Sequence, residues 1–408
     1  MTRTIVGPGS AKSEGVVGTG GNRSDIACQD RSSRSGAQDG ATACPGKRRP
    51  ARRWRYRTRA GPPPTPIFAG PERSATTSYS YVYVKIIGAI LALPTLLEGR
   101  LRLPVIAAPL FIISHPALVI AQAKAGIVGA FPALNARPAA QLDEWLCEIE
   151  EALAAHDRAH PERPAAPFAV NQIVHRSNTR LEEDLAVCVK HKVPIVITSL
   201  GARPEVNEAV HSYGGIVLHD VIDDRFARKA IEKGADGLIA VAAGAGGHAG
   251  TLSPFALIQE IRQWFDGPVF LSGAIATGDA VLAAQAMGAD GGYIGSAFIA
   301  TDEARAAEDY KQGIARGRAS DIVYTDLFTG IHGNYLRESI VAAGLDPDAL
   351  PGSDPSQMDF GGSAKPKAWK EIWGSGQGIG AVRSVGPASA LVDRLAAEYD
   401  AARRRICG

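Results

Sequence analysis

The sequence has little of what marks several common classes of protein. It contains five cysteines among 408 residues, and none of them forms a CxxC pair. That usage favours a cytoplasmic protein with reduced thiols, and no metal site is expected. The longest apolar run covers residues 86–97 and is interrupted by Pro94, so it is much shorter than the roughly 18 to 20 residues of a membrane span. A membrane partner is therefore not expected either.

The chain also lacks a strong excess of charge, but its charges are unevenly distributed. The formal net charge is +2, while residues 1–80 carry 14 Lys and Arg against 5 Asp and Glu, which leaves −7 for the remainder. The first 80 residues are rich in Gly, Ser, Arg and Pro and show no hydrophobic period. Such a segment cannot bury enough apolar surface to offset its ordering entropy, so we predict a disordered basic tail. The mildly acidic remainder indicates no nucleic-acid surface.

From Leu101 onward, short runs of Val, Ile, Ala and Gly alternate with longer segments of helical period. This pattern is typical of repeated βα units around a parallel sheet. The eight apolar runs cover residues 103–108, 127–130, 168–171, 194–199, 215–219, 237–242, 268–272 and 291–295. Helices are predicted over residues 138–156, 179–191, 203–213, 223–233, 254–264, 278–287 and 387–404. Eight strands within about 200 residues favour a closed (β/α)8 TIM barrel over an open sheet.

The predicted domain organisation has four parts. The tail covers residues 1–80 and the barrel residues 81–319. A Gly/Pro-rich segment that fits no further βα unit is predicted to form a lid or small subdomain over residues 320–379. Residues 380–408 are predicted to form a C-terminal helix that completes the barrel.

The predicted chemistry lies on loops after the strands, since barrels of this kind place reactive groups at the strand C-termini. The loop after the sixth strand is Gly-Ala-Gly-Gly-His-Ala-Gly, with His248 as its one titratable residue. Small residues let backbone approach a flat ligand, and an unperturbed imidazole exchanges protons near neutral pH. We therefore predict His248 as the catalytic residue; the alternative is a glycine-rich turn with an incidental histidine.

The loops after the seventh and eighth strands resemble a phosphate cradle built from backbone N–H groups. Gly273, Gly295 and Ser296 are the predicted donors, although each glycine alone could serve an ordinary turn. Gly244, Gly246 and Ala249 imitate a dinucleotide fingerprint, but the next strand ends without the acidic residue that such a site needs. A phosphate-bearing cofactor on a barrel is therefore favoured over a Rossmann fold.

Three motifs in order carry a family resemblance: Pro-Val-Ile-Ala-Ala-Pro-Leu at 104–110, the His248 loop, and Gly-Ala-Asp-Gly-Gly-Tyr-Ile-Gly-Ser at 288–296. Together they resemble the nitronate monooxygenase family, which shares its barrel with a flavin-dependent enoyl-acyl-carrier-protein reductase. The similarity runs from about Leu101 to Val385. Leu110 replaces the family's usual methionine, Ser272-Gly273-Ala274 replaces a Gly-Gly pair, and an acidic residue before the His248 loop is absent.

The resemblance implies bound FMN and a set of residues around it. His248 would be the active-site histidine, and the other implied contacts are Ala108, Pro109, Leu110, Asn171, Gly246, Gly247, Gly273, Gly295, Ser296 and Gln377. The implied reaction is oxidation of alkyl nitronates, with nitroalkanes as further candidates, by O2 to a carbonyl compound and nitrite. The alternatives are an NAD(P)H-dependent flavin reductase of enoyl thioesters or quinones, and a flavin-binding scaffold without turnover. Whether the protein forms a homodimer is left open.

Further polar residues follow predicted strands. These are His115, Asn135, Ser199, His219 and Asp220, which could line the pocket or satisfy turns. In the predicted lid, His332 and Tyr335 are candidates for substrate contact, whereas Trp369 and Trp373 are expected to be packing anchors.

Overall fold

A closed ring of parallel strands forms the centre of the protein in the computed structural model, which describes residues 93–352 and 371–407. The eight strands are β1 Val105–Ala107, β2 Gly129–Pro132, β3 Phe168–Ile173, β4 Ile195–Ser199, β5 Ile216–Val221, β6 Gly237–Val241, β8 Val269–Ser272 and β9 Gly291–Ile294. A further strand, β7 Gly247–His248, lies outside the ring. The ring order is β2-β3-β4-β5-β6-β8-β9-β1, and a parallel bridge from Ile106 to Val128 closes it. The predicted (β/α)8 barrel is confirmed, while the tail predicted for residues 1–80 lies outside the described residues.

Most of the helices follow barrel strands and cover the outside of the barrel. They are α1 Pro116–Ala125, α2 Gln141–Ala159, α3 Leu181–Lys190, α4 Pro204–His211, α5 Asp224–Glu232, α6 Pro254–Arg262, α7 Gly278–Ala286, α8 Ser296–Ile299, α9 Glu308–Arg316, α10 Arg337–Ala342 and α11 Ala388–Cys407. The last of these packs against α1 and α7, so the end of the chain fills the position between the first and last barrel units. Over residues 93–352 and 371–407, no helix combines the length and apolarity needed to cross a membrane.

The barrel strands are apolar on both faces, because the inner face packs in the barrel interior and the outer face packs against the helices. Inward side chains form one buried cluster, which includes Ile106, Ala169, Ile197, Leu218 and Phe270. Leucines from residues 93–101 pack against the same cluster. Side chains alternate along a strand, so the inward series of β3, β4 and β5 continues to polar residues at their C-terminal ends. These polar ends form the floor of the site described below.

The segment after the barrel forms a small antiparallel sheet. Strands β10 Ile322–Thr325 and β11 Gly333–Leu336 pair with each other, and β11 also pairs with β7. The predicted lid is therefore joined through backbone hydrogen bonds to the loop that carries His248. Residues 353–370, including Trp369, lie outside the described residues, and the domain boundaries stay a prediction.

Candidate active site

A cavity of about 950 Å³ lies at the carboxyl ends of the barrel strands. Ten of the eleven predicted site residues line it: Ala108, Pro109, Leu110, Asn171, Gly246, Gly247, His248, Gly273, Gly295 and Ser296. Residues from the lid segment, among them Leu327, Phe328 and Thr329, line it as well. The loops that sequence patterns singled out separately therefore surround a single cavity.

His248 is positioned by the lid rather than by the barrel alone. It lies in β7, where it pairs with Gly333 of β11, and its Nε2 atom lies 3.0 Å from Oγ1 of Thr329. Burial lowers the pKa of His248 to about 4, because the protein interior disfavours the charged imidazolium. The imidazole is therefore neutral at physiological pH.

The glycine-rich loop around His248 is also held from its other side by residues 374–378. The backbone N–H of Gln377 donates to the carbonyl of Gly244 at 2.9 Å, and the N–H of Gly376 donates to Oγ of Ser296 at 2.9 Å. Gln377 itself is not among the residues that line the cavity; its side chain lies next to Gly244. Its predicted contact with the cofactor stays a prediction.

Two glycines of the cavity wall are required by close backbone approach. A Cβ atom on Gly246 would lie 2.8 Å from the backbone N of Gly376 and 2.9 Å from Oγ of Ser296. Gly273 has a φ of +146°, and a Cβ atom there would lie 2.8 Å from the carbonyl of Ala243. Because no larger residue fits, backbone groups rather than side chains form this part of the wall. Such a surface fits the flat ring and the phosphate of a flavin nucleotide.

The floor of the cavity is polar and is formed by the C-terminal ends of β3, β4 and β5. The amide Nδ2 of Asn171 donates to Oγ of Ser199 at 2.8 Å and to the carbonyl of Ile197 at 3.1 Å. Asp220 lines the cavity beside them, and burial raises its pKa to about 6, although the Ser199 hydroxyl and the Leu200 N–H favour the charged form. Burial, with the charge of Asp220, raises the pKa of Tyr293 above its usual range.

Backbone strain is concentrated at the cavity. Four non-glycine residues have positive φ in the described part of the chain, and three of them, Ile112, Leu200 and Ala274, line the cavity. Left-handed conformations of such residues cost free energy and persist only where the surroundings enforce them. The loops after β1, β4 and β8 are therefore held in shapes that their sequences alone would not favour.

Among the other polar residues that follow strands, Ser199 and Asp220 line the cavity and the rest do not. Asn135 is buried and supports the first loop: its Oδ1 accepts from the Ile112 N–H at 2.8 Å, and its Nδ2 donates to the carbonyls of Leu110 and Ser114. His219 points to the outer layer, where its Nδ1 lies 2.6 Å from Oγ1 of Thr198. Burial, followed by the charge of Lys233, lowers the pKa of His219 to about 4.

The aromatic residues of the lid differ in position from the sequence-based expectation. Tyr335 is fully buried and His332 stacks on Tyr324, and neither lines the cavity. Trp373 does line it, and it stacks on Tyr310 with ring centroids 4.9 Å apart. Trp373 therefore both packs against Tyr310 and lines the cavity. Tyr310 and Thr329 also line the cavity, and the sequence did not identify either as a site residue. No local signal identifies them, because their place depends on how the lid folds back.

One group of potential metal ligands lies outside the cavity in the described part of the chain. Asp143, Cys147 and His191 offer atoms within 4.8 Å of one another. His191 already contacts Asp143 at 2.7 Å and Glu150 at 3.2 Å, and Lys190 donates to Asp143 at 2.5 Å. Because Asp143 and His191 already pair with each other and with Lys190 and Glu150, we infer no metal site from this group.

The C-terminal rim of this barrel combines glycine-walled loops, polar strand ends and a histidine around one cavity, which is where TIM-barrel enzymes carry their active sites. The profile of the nitronate monooxygenase family matches residues 96–398, so the chain belongs to that family and is an oxidoreductase. This family is generally flavin-dependent. The resemblance inferred from the three motifs is confirmed.

Curated relatives agree with this membership, and solved structures share the fold. A nitronate monooxygenase of Paraburkholderia phytofirmans is 28% identical over 351 residues, which cover 72% of this chain and 92% of that protein. Other curated relatives are matched over only 30% to 63% of their length. Nitroalkane oxidase from Streptomyces ansochromogenes has a TM-score of 0.65 at 24% identity, covering 77% of this chain and all of that one. FabK from Thermotoga maritima has a TM-score of 0.60 at 22% identity, covering 77% and 97%. At these identities the two structures show a shared fold.

Proposed function

We propose that the protein binds FMN in the cavity and oxidises alkyl nitronates with O2, giving a carbonyl compound and nitrite. The observation that carries the proposal is the position of His248, which lines the same cavity as the predicted phosphate loops Gly273 and Gly295–Ser296. Family membership supports the reaction class.

The cavity wall suits FMN in two respects. Gly246 and Gly273 allow close backbone approach, so Gly246 and Gly247 would support the ring and Gly273, Gly295 and Ser296 would bind the phosphate. Asn171 has both amide hydrogens engaged by Ser199 and Ile197, which leaves its oxygen as the atom that would accept from the ring. When bound, FMN supplies the electron-accepting and oxygen-reacting chemistry that no side chain of the protein provides.

The lowered pKa of His248 favours nitronates over nitroalkanes as substrates. A group with a pKa of about 4 is a weak base, and general-base catalysis is most efficient when the pKa lies near the working pH. Removal of the α-proton from a neutral nitroalkane would therefore be slow. A nitronate has already lost that proton, so the neutral imidazole needs only to orient the anion by hydrogen bonding.

The proposal is tested on the purified holoprotein. We expect a flavin absorbance band, O2 consumption with propionate 3-nitronate or ethylnitronate, and nitrite release, with much slower turnover of the parent nitroalkanes. His248→Asn should retain the flavin and slow nitronate turnover by about tenfold to a hundredfold, the equivalent of one hydrogen bond to a charged group. Flavin-bound protein that consumes no O2 with any nitronate would refute the substrate assignment.

The same preparation separates the alternatives. Rapid anaerobic bleaching of the flavin by NADH or NADPH, followed by reoxidation with an enoyl thioester or a quinone, would identify a flavin reductase instead. A protein whose measurable properties are all unchanged by His248→Asn would be a flavin-binding scaffold.

A further inference from the structure

Asp220 is a carboxylate on the floor of the cavity that the proposed reaction does not use. It lies near the C-terminal end of β5, one inward position beyond Leu218, which belongs to the buried interior cluster. It lines the cavity together with Ser199, Asn171 and Tyr293. A carboxylate at this depth costs free energy unless a partner compensates its charge.

No cation provides that compensation within residues 93–352 and 371–407, because none of their ion pairs involves Asp220. The groups that favour its charge are neutral, namely the Ser199 hydroxyl and the Leu200 N–H. Leu200 has a φ of 62°, so this loop is strained where it meets the carboxylate. The absence of a paired cation leaves the negative charge of Asp220 to act on whatever fills the cavity.

The other ionisable groups that line the cavity make different contacts. The Arg137 guanidinium lies over the Phe111 ring, 5.5 Å from its centroid, and Arg305 lies 3.3 Å from Nδ1 of His115. Nε2 of His248 contacts Thr329. Besides these groups, Tyr293 and Tyr310 line the cavity. The Tyr310 hydroxyl donates to the Gly374 carbonyl, and the pKa of Tyr293 lies above the usual range because of burial and the charge of Asp220.

The arrangement of strands places Asp220 near one particular part of a bound flavin. The predicted phosphate loops follow β8 and β9, whereas Asn171, Ser199 and Asp220 lie on β3, β4 and β5, across the ring of strands. A flavin ring has one apolar end, its dimethylbenzene half, and one end rich in nitrogen and oxygen, its pyrimidine half. A polar floor remote from the phosphate matches the pyrimidine half, because buried polar groups need hydrogen-bonding partners.

We propose that Asp220 faces the pyrimidine half of the flavin and opposes negative charge on it, so that this carboxylate lowers the reduction potential of the cofactor. The inference rests on the proposed function, since it takes the cavity to hold a flavin. Two-electron reduction places negative charge on the pyrimidine half, and a nearby carboxylate in a poorly solvated cavity repels it. Asp220 thereby favours electron transfer from the reduced cofactor to O2, the oxidant of the proposed reaction. Asp220 acts here as a positioning and tuning residue.

The test compares Asp220→Asn with wild type and with Asp266→Asn, an exposed aspartate outside the cavity, all as holoproteins. Each protein is equilibrated anaerobically at pH 8 with a redox dye that is held at the same state of reduction. The ratio of reduced to oxidised flavin is then compared between the proteins. We expect the ratio for Asp220→Asn to rise by about tenfold or more, as expected for removal of a charge a few ångströms from the ring. Asp266→Asn should match wild type. Sulfite, which also leaves negative charge on the pyrimidine half when it adds to the ring, should bind Asp220→Asn more tightly by a similar factor.

A second measurement uses wild type alone and does not depend on the variant folding. The pKa of Asp220 is raised to about 6, so lowering the pH from 8 to 5 protonates it and removes its charge. Sulfite affinity, corrected for the ionisation of sulfite, should then rise in wild type and approach that of Asp220→Asn.

The outcomes separate this inference from the proposed function. Bound flavin with the same dye ratio and sulfite affinity in wild type and Asp220→Asn would overturn the role of Asp220 and leave nitronate oxidation standing. Conversely, if Asp220→Asn changes the dye ratio and the sulfite affinity as expected but the protein oxidises no nitronate, only the proposed reaction would be overturned. A protein that binds no flavin would overturn both.

Discussion

Nε2 of His248 lies 3.0 Å from Oγ1 of Thr329, a contact that joins the sixth barrel loop to the lid. The Thr329 hydroxyl also lies 3.0 Å from the carbonyl of Ile331 and 3.4 Å from the hydroxyl of Tyr335. The imidazole is therefore oriented by a segment about 80 residues later in the chain. The lid therefore contacts the predicted catalytic residue as well as lining the cavity.

This contact predicts an effect of Thr329 on catalysis. Thr329→Val keeps the shape of the side chain but removes the hydroxyl, so we expect flavin reduction by ethylnitronate to slow by about tenfold, the equivalent of one hydrogen bond. Thr329→Ser keeps the hydroxyl and should restore most of the rate. Anaerobic stopped-flow measurement of flavin bleaching gives the rate directly. Equal rates in the Val and Ser variants would show that the hydroxyl does not orient His248.

A second prediction concerns the pH dependence of activity. Burial lowers the pKa of His248 to about 4, so the imidazole stays neutral from pH 8 down to about pH 5. We expect the rate of flavin reduction by a nitronate to show no inflection from His248 in that range, after correction for protonation of the nitronate itself. An inflection near pH 6.5 that disappears in His248→Asn would contradict the lowered pKa of the imidazole.

A third prediction concerns stability and His219. The folded-state pKa of His219 is about 4, below the usual value of 6.5. Between pH 6.5 and 4 the unfolded chain therefore binds a proton at this histidine more readily than the folded protein does. The free energy of unfolding consequently falls as the pH falls. Between pH 7.5 and 5, this group should cost about 2 kcal/mol of unfolding free energy. Urea unfolding at both pH values measures the loss, which should be smaller in His219→Asn. The other titrating groups, including His248 and Asp220, are common to both proteins, so an equal loss in both would refute this assignment.

A fourth prediction tests the glycine wall. Gly246→Ala would place a Cβ atom 2.8 Å from the backbone N of Gly376, and such overpacking typically costs about 1 to 3 kcal/mol. We expect a lower melting temperature and reduced flavin content after purification. Gly386→Ala is the matched control, because its Cβ atom would meet nothing within 4 Å. If the two variants retained flavin equally, the close approach at Gly246 would not matter for binding.

Much of the barrel could be predicted because the hydrophobic patterns that specify its strands and helices lie within short segments of the sequence. Each strand is buried on both faces, so it appears as a short continuous apolar run, and all eight predicted runs contain or overlap an observed strand. The seven helices predicted from their period each overlap an observed helix, whereas α1 and α9 are among those that were not predicted. The pairing of β7 with β11 was not predicted, because Gly247–His248 is only two residues long and carries no pattern.

The polar residues after the strands show where prediction from sequence stops. Asn135 and Asp220 both follow apolar runs, yet Asn135 supports a loop through three hydrogen bonds to backbone, while Asp220 lines the cavity. The difference depends on the direction of each side chain and on the loops that surround it. Neither property is visible in the order of residues.

The sequence by itself determined the barrel, the rim at which the site lies and the small residues that leave space there, because hydrophobic period and glycine placement are local properties of the chain. The tertiary structure decided which polar groups meet in the cavity. His248 became a neutral, lid-oriented imidazole only once distant segments packed together. Asp220 likewise became a carboxylate on the cavity floor with no cationic partner in the described part of the chain, since burial and the distance between charges depend on the whole fold.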